Sequence, residues 1–208
     1  MTADLLAYDG SGIDGGAYTT VTRWAQDAPH WFDQAVRVWS DLGLGVFAVL
    51  MLLAWWQARR ADSVVMARVL AAPVIVVAGY LANSALKTMV HEVRPCQQLP
   101  RTVTVESCPG TGDWSFPSNH TVIAFAAAAA LWFAYRRIGW IALGLAVLMG
   151  ASRVWIGVHY PHDVLIGALV GLLVGVLLGL VAGRCAPVVE RIRGGVLGPF
   201  LGAGPATA

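Results

Sequence analysis

Five apolar runs, each long enough to matter to a lipid bilayer, are separated by short polar stretches. They cover about 40–57, 68–90, 118–135, 139–159 and 162–183. A membrane span needs roughly 20 mostly apolar residues to cross the hydrocarbon core. The pattern therefore predicts an all-α integral membrane bundle of about five transmembrane helices. Residues 1–37 differ, mixing Trp24, Trp31 and Phe32 with Arg23, Asp27 and Asp33, and they lack the basic start and unbroken apolar core of a signal peptide. That mixture predicts an amphipathic helix lying in the interface. The expected organisation is one membrane-embedded domain over 1–208, with an interfacial region at 1–37, a bundle at 40–183 and a tail at 184–208 whose end, GGVLGPFLGAGPATA, reads as loose.

Composition agrees with lipid as the solvent. Hydrophobic residues make up 57% of the 208 and charged residues 12%, about half the globular norm of roughly 25%. Mean hydropathy is +0.64. A net charge of +2 is too small to point to nucleic acid. Where the charges lie says more. Arg59, Arg60 and Arg68 fall between the first two runs, Arg136 and Arg137 between the third and fourth, and Arg184, Arg191 and Arg193 after the fifth. Positive charge gathers on the cytoplasmic side, so the N-terminus, the loop 91–117 and the turn near 159–162 are expected outside and the C-terminus inside. Cys96 and Cys108 both fall in that outer loop, where an oxidising compartment permits a disulfide. Closing a loop of that size is worth about 3 kcal/mol. Two free thiols are the alternative.

Three polar clusters resist explanation by membrane burial, since an ionisable residue at mid-span costs roughly 2.5–3.5 kcal/mol. The first is Lys87 to Pro95, KTMVHEVRP, which holds the only lysine of the chain. An anchoring lysine snorkelling to the surface is the plain alternative. The second, FPSNH at 116–120, opens an apolar helix with residues suited to a helix N-terminus, where free N–H groups and the positive dipole end attract anions. Simple capping by Ser118 or Asn119 would leave the same trace. The third, SRVWIGVHYPHD at 152–163, puts Arg153 in an apolar run, roughly six residues or about 9 Å of rise below its outer end. It also sets Asp163 four residues after His159, able to bond one ring nitrogen and raise the basicity of the other. A satisfied structural pair would look alike.

All three clusters fall on the same expected face. Lys87, Arg94 and Arg153 with the helix start at 118–120 suit a phosphate-like oxyanion and the charge that develops in phosphoryl transfer. Two histidines then complete a chemistry in which one attacks phosphorus and the other protonates the leaving oxygen. The segments fit K-x6-R-P, P-S-G-H except at Asn119, and S-R-x5-H-x3-D, in that order over 87–163. In this the chain resembles the type 2 phosphatidic acid phosphatase superfamily of membrane lipid phosphatases.

The resemblance implies a nucleophile at His159, an orienting Asp163, and an acid then base at His120. It implies phosphate binding by Lys87, Arg94, Ser118 and Arg153 with the backbone around Asn119, and activity without a metal or other cofactor. No separate metal-ligand cluster is apparent among the histidines and carboxylates. Asn119 departs from the family's glycine, but asparagine also tolerates the left-handed backbone region. Its amide is expected to touch a substrate headgroup or to narrow the pocket. His162 is expected to start a helix, His91 to lie in a loop, and Glu92, Arg101, Glu106 and Trp114 to serve mainly structure. The implied partners are a lipid phosphate and the surrounding membrane lipids. A polyprenyl phosphate or diphosphate, a phosphatidylglycerol phosphate or phosphatidic acid, and a polyprenyl phosphosugar such as a phosphoribosyl carrier all remain open. A transporter or scramblase that merely binds anionic lipid would need neither histidine.

Overall fold

The computed structural model describes residues 7–99 and 102–204. Their regular structure is helical: α1 Ser11–Asp27, α2 His30–Leu42, α3 Leu44–Ala58, α4 Ser63–Met89, α5 Pro95–Gln98, α6 Asn119–Ala134, α7 Arg136–Trp155, α8 Pro161–Ala182, α9 Ala186–Arg193 and α10 Gly198–Leu201. The expected all-α membrane bundle is present. Among the described residues, three helices are long and apolar enough to cross a membrane: α4, α7 and the continuous stretch Pro161–Arg193. Two of the five expected runs do not meet that length and composition by themselves. The first run is essentially α3, which follows a 53° bend after α2 and meets the measure only when paired with it. The third run, α6, has 16 residues, about 24 Å of rise against a hydrocarbon core of roughly 30 Å.

Helix α6 can be short because it faces protein. Its alanine run favours helix, and residues from Thr121 to Leu131 are buried almost without interruption as α4, α7 and α8 pack around it. On α8 the matching surface is a row of glycines four residues apart: Gly167, Gly171, Gly175 and Gly179, all buried. Small residues let helix backbones approach closely in lipid. A Cβ added at Gly171 would lie 2.5 Å from the Val122 carbonyl oxygen and 3.0 Å from the Ala126 nitrogen. Neither backbone atom can yield cheaply. Gly171→Leu is expected to lower stability by about 3 kcal/mol, the upper end for overpacking, seen as a lower Tm in detergent. Gly144→Leu on α7, where an added Cβ meets nothing within 4 Å, should leave Tm unchanged.

The two ends of the bundle differ. At one, Arg68 donates to the Phe133 carbonyl and Arg193 to the carbonyls of Ala58 and Ala61, while Arg59 reaches Pro199. At the other end, loop 90–118 folds over the helix ends and is closed by a disulfide between Cys96 and Cys108, whose Cα atoms are 5.9 Å apart. The N-terminal region forms two helices rather than the one expected. Helix α1 is kinked at Asp14 and lies across this end, tied down where Tyr18 donates to the Gly157 carbonyl at 2.9 Å. The site lies here.

Candidate active site

Local sequence positions each of three converging segments. After α4 the chain leaves the helix and turns at Pro95, the first residue of α5, leaving Arg94 as an extended N-cap. Ser118 is the N-cap of α6. Helix α7 ends at Trp155, and Gly157 takes a positive φ of 89°, where a Cβ would meet Thr104 at 2.5 Å. Pro161 then starts α8. His159 is thereby left in a connection and Asp163 in the first turn of the next helix. Arg153 accordingly sits in the last turn of α7, near the helix end rather than six residues below it.

His159 is 2% exposed and Asp163 fully buried. Nδ1 of His159 lies 3.3 Å from Asp163 Oδ2, and the same oxygen accepts from the Tyr160 N–H at 2.8 Å and from Ser115 Oγ. An ionised Asp163 only accepts, and a ring bonded to it carries its proton on Nδ1 and its lone pair on Nε2. Nε2 faces Nη1 of Arg94 at 3.3 Å. Burial holds the His159 pKa well below its ordinary value, and the charges of Arg94, Arg153 and Lys87 lower it further, with His120 adding to them. A neutral ring with a lone pair directed at a guanidinium is what nucleophilic attack on an anion bound there requires.

The cations around the ring are held from behind. Arg94, 5% exposed, donates to the Asp113 carbonyl at 2.9 Å, the Asp113 carboxylate at 3.0 Å and the Val158 carbonyl at 2.8 Å. Lys87 donates to the Trp114 carbonyl at 2.6 Å. Arg153 donates to Ser40 Oγ at 2.7 Å and lies 4.0 Å from Glu106, while its buried Nε has no partner among the described residues. Ser118 is buried, with its N–H on the Asp163 carbonyl at 3.2 Å and its Oγ accepting from Thr121 at 3.0 Å. His120 follows in the first turn of α6. Three cations, a helix N-terminus and an imidazole thus gather at one end of the bundle, the kinds of group that recognise an oxyanion.

Two expectations about Asn119 change. Asn119 is the first residue of α6, and no non-glycine among the described residues has a positive φ, so its tolerance of the left-handed region is not used. Its amide oxygen accepts from buried Asn83 at 2.6 Å instead of standing free toward a headgroup. Beside the His159–Asp163 pair, Glu92, His162 and Asp163 bring two carboxylates and an imidazole nitrogen within 4.8 Å of one another. Glu92, expected to serve mainly structure, is 1% exposed. Asn83, Ser115, Asp113 and Ser40 escaped the sequence reading; only Ser115, three residues before Ser118, carried a local signal. Arg101 lies outside the described residues.

Fold and site together define a class: a helical membrane bundle with a buried His–Asp pair set among arginine and lysine at one end. The chain belongs to the PAP2 superfamily, whose family model matches residues 68–185. Over 130 residues it is 35% identical to the undecaprenyl-diphosphatase BcrC of Bacillus subtilis, covering 61% of this chain and 62% of that protein. The chain thus spans about 60% of the length of the curated relatives it first matches. The crystal structure of Aquifex aeolicus LpxE superimposes with a TM-score of 0.57 at 25% identity, over 81% of this chain and 94% of that one. The phosphatidylglycerolphosphate phosphatase of Bacillus subtilis has a TM-score of 0.58 at 22% identity, over 86% and 87%, and supports the fold alone.

Proposed function

We propose that this protein is a metal-independent lipid phosphatase of the plasma membrane that hydrolyses a polyprenyl diphosphate or phosphate through a phosphohistidine. The observation that carries it is the free Nε2 of His159 held 3.3 Å from Arg94 while Nδ1 faces Asp163. Nε2 attacks phosphorus, and the bond to the leaving oxygen breaks as His120 gives that oxygen a proton. Asp163 stabilises the imidazolium so formed. Water then attacks the phosphohistidine, giving its proton to His120, and His159 is released with inorganic phosphate. Lys87, Arg94, Ser118 and Arg153, with the backbone at Asn119, hold the phosphoryl oxygens as charge builds.

The arginine-rich end opposite the site supports a cytoplasmic C-terminus and an outward-facing site. The 35% identity to an undecaprenyl-diphosphatase favours the prenyl substrate. An apolar groove of about 340 Å³ between α2 and α7, lined by Phe32, Trp39, Leu148 and Trp155 and reaching Ser152, gives a tail a place to lie beside Arg153. Phosphate release by detergent-purified protein in EDTA tests this, using undecaprenyl diphosphate, phosphatidylglycerol phosphate, phosphatidic acid and a polyprenyl phosphosugar. The expected result is release that is fastest from the prenyl diphosphate. Preference for a glycerolipid or the phosphosugar would reassign the substrate, and no release from any would leave only lipid binding.

A further inference from the structure

Behind Asp163, on the side away from His159, the ring of His162 is enclosed by carboxylates. Nδ1 lies 2.8 Å from Asp14 Oδ1 and Nε2 2.9 Å from Glu92 Oε1, while the His162 backbone N–H donates to the other Asp14 oxygen at 2.7 Å. Nε2 is also 3.6 Å from Asp163 Oδ1. The ring of Tyr160 stacks on one face with centroids 5.3 Å apart, and Phe116 lies 6.1 Å away. Asp14 comes from the kink in α1, Glu92 from the loop after α4, and Tyr160 and Asp163 from the start of α8. Among the described residues, those four are the titratable groups in contact with the ring.

Donor and acceptor counting restricts the ring. Ionised carboxylates only accept, and a neutral imidazole has one N–H. It cannot serve Asp14 and Glu92 together, whereas an imidazolium serves both. Charge counting agrees, because Glu92 and Asp163 are 1% and 0% exposed and buried carboxylates need a paired cation. Asp163 divides its two oxygens accordingly. Oδ2 is occupied by His159, Ser115 and the Tyr160 N–H, while Oδ1 has no hydrogen-bond partner among the described residues and lies 3.6 Å from His162 Nε2, with the Glu92 carboxylate also near.

We propose that His162 is a positioning residue for the reaction: as an imidazolium between Asp14, Glu92 and Asp163, it keeps Asp163 ionised and its Oδ2 on His159. Without that charge, the buried carboxylates of Glu92 and Asp163 share a proton. A protonated Asp163 no longer stabilises the His159 imidazolium, and the orientation of the nucleophile is lost. The inference rests on the proposed roles of His159 and Asp163, and it adds α1, through Asp14, to the support of the site.

The test is the pH profile of kcat and KM for His162→Gln, Glu92→Gln and the double variant, with His159→Ala as control. His162→Gln should lower kcat on the order of 10–100-fold, as loss of an orienting partner does, with KM little changed. Its acid limb should move to higher pH, because Asp163 then takes up a proton earlier as pH falls. Glu92→Gln in that background removes the competing carboxylate, and should return the acid limb and at least about half of the lost activity on a logarithmic scale. A purely packing role would give a loss that Glu92→Gln leaves unrescued with the acid limb in place, and that result overturns the proposal. Should His162→Gln fail to fold, Asp14→Asn is expected to move the limb the same way by less, and an unmoved limb there also overturns it. Wild-type activity that EDTA abolishes and Zn²⁺ restores would instead make Glu92, His162 and Asp163 a metal site. An inactive His159→Ala beside a wild-type-like His162→Gln rejects only this inference; an active His159→Ala rejects the nucleophile assignment beneath it.

Discussion

His159→Ala is expected to abolish phosphate release, by at least about 10⁴-fold, in a protein that still folds. The magnitude follows from removing the atom that forms the bond to phosphorus: nucleophile deletions leave only the catalysis that charge and positioning supply. Folding should survive because the ring is not what ties the segments together. Tyr160 and Ser115 still bond Asp163 Oδ2, and Arg94 keeps its bonds to Asp113 and Val158. The two measurements are phosphate release and thermal unfolding in the same detergent. A third reads the intermediate directly, since wild-type protein quenched during turnover of a substrate labelled at the reacting phosphate should carry acid-labile, alkali-stable label, and the variant none. Substantial release by a folded His159→Ala would remove the covalent mechanism, leaving direct attack by water.

What could be read from one sequence was the solvent and the chemistry of segments, and what could not was mostly partnership. The runs that became α4, α7 and α8 announce themselves by apolar length alone. The break at Gly43 does not, because glycine is common within membrane helices. Only the structure shows that the position has no room for a side chain, since a Cβ on Gly43 would meet the Trp39 carbonyl oxygen and, at 3.0 Å, its ring. Arg153 was placed too deep because the apolar run continues through Ile156 and Val158 after the helix has stopped at Trp155. Hydropathy sees composition, whereas the stop comes from the backbone at Gly157. The motif residues were found because their chemistry is unusual in lipid. Their supports, Asn83 on Asn119, Ser40 on Arg153 and Asp14 on His162, join segments 36, 113 and 148 residues apart. Helical periodicity says which face a residue takes, but not which distant residue meets it.

Arg94→Ala should lower kcat/KM by about 10³-fold, typical of losing one preorganised donor to developing charge, and Arg94→Lys should recover only part of that. The guanidinium uses its fork: Nε and Nη2 hold the carbonyl and carboxylate of Asp113, which leaves Nη1 between the Val158 carbonyl and His159 Nε2. A lysine supplies the charge at a single point and cannot hold Asp113 and face the ring at once. Stability should change far less than activity. Asp113 is 55% exposed, so its ion pair is screened and worth little. The Val158 carbonyl loses its donor, at about 1–3 kcal/mol if water cannot replace it. The separation is therefore measurable as a large fall in kcat/KM beside a small fall in Tm, with weaker inhibition by inorganic vanadate, an analogue of the transferred phosphoryl group. If Lys restored full activity, charge alone would suffice and the fork would serve only the loop. If Ala lost Tm and activity together while vanadate affinity held, Arg94 would be a structural clasp, and Lys87 and Arg153 would carry the phosphate.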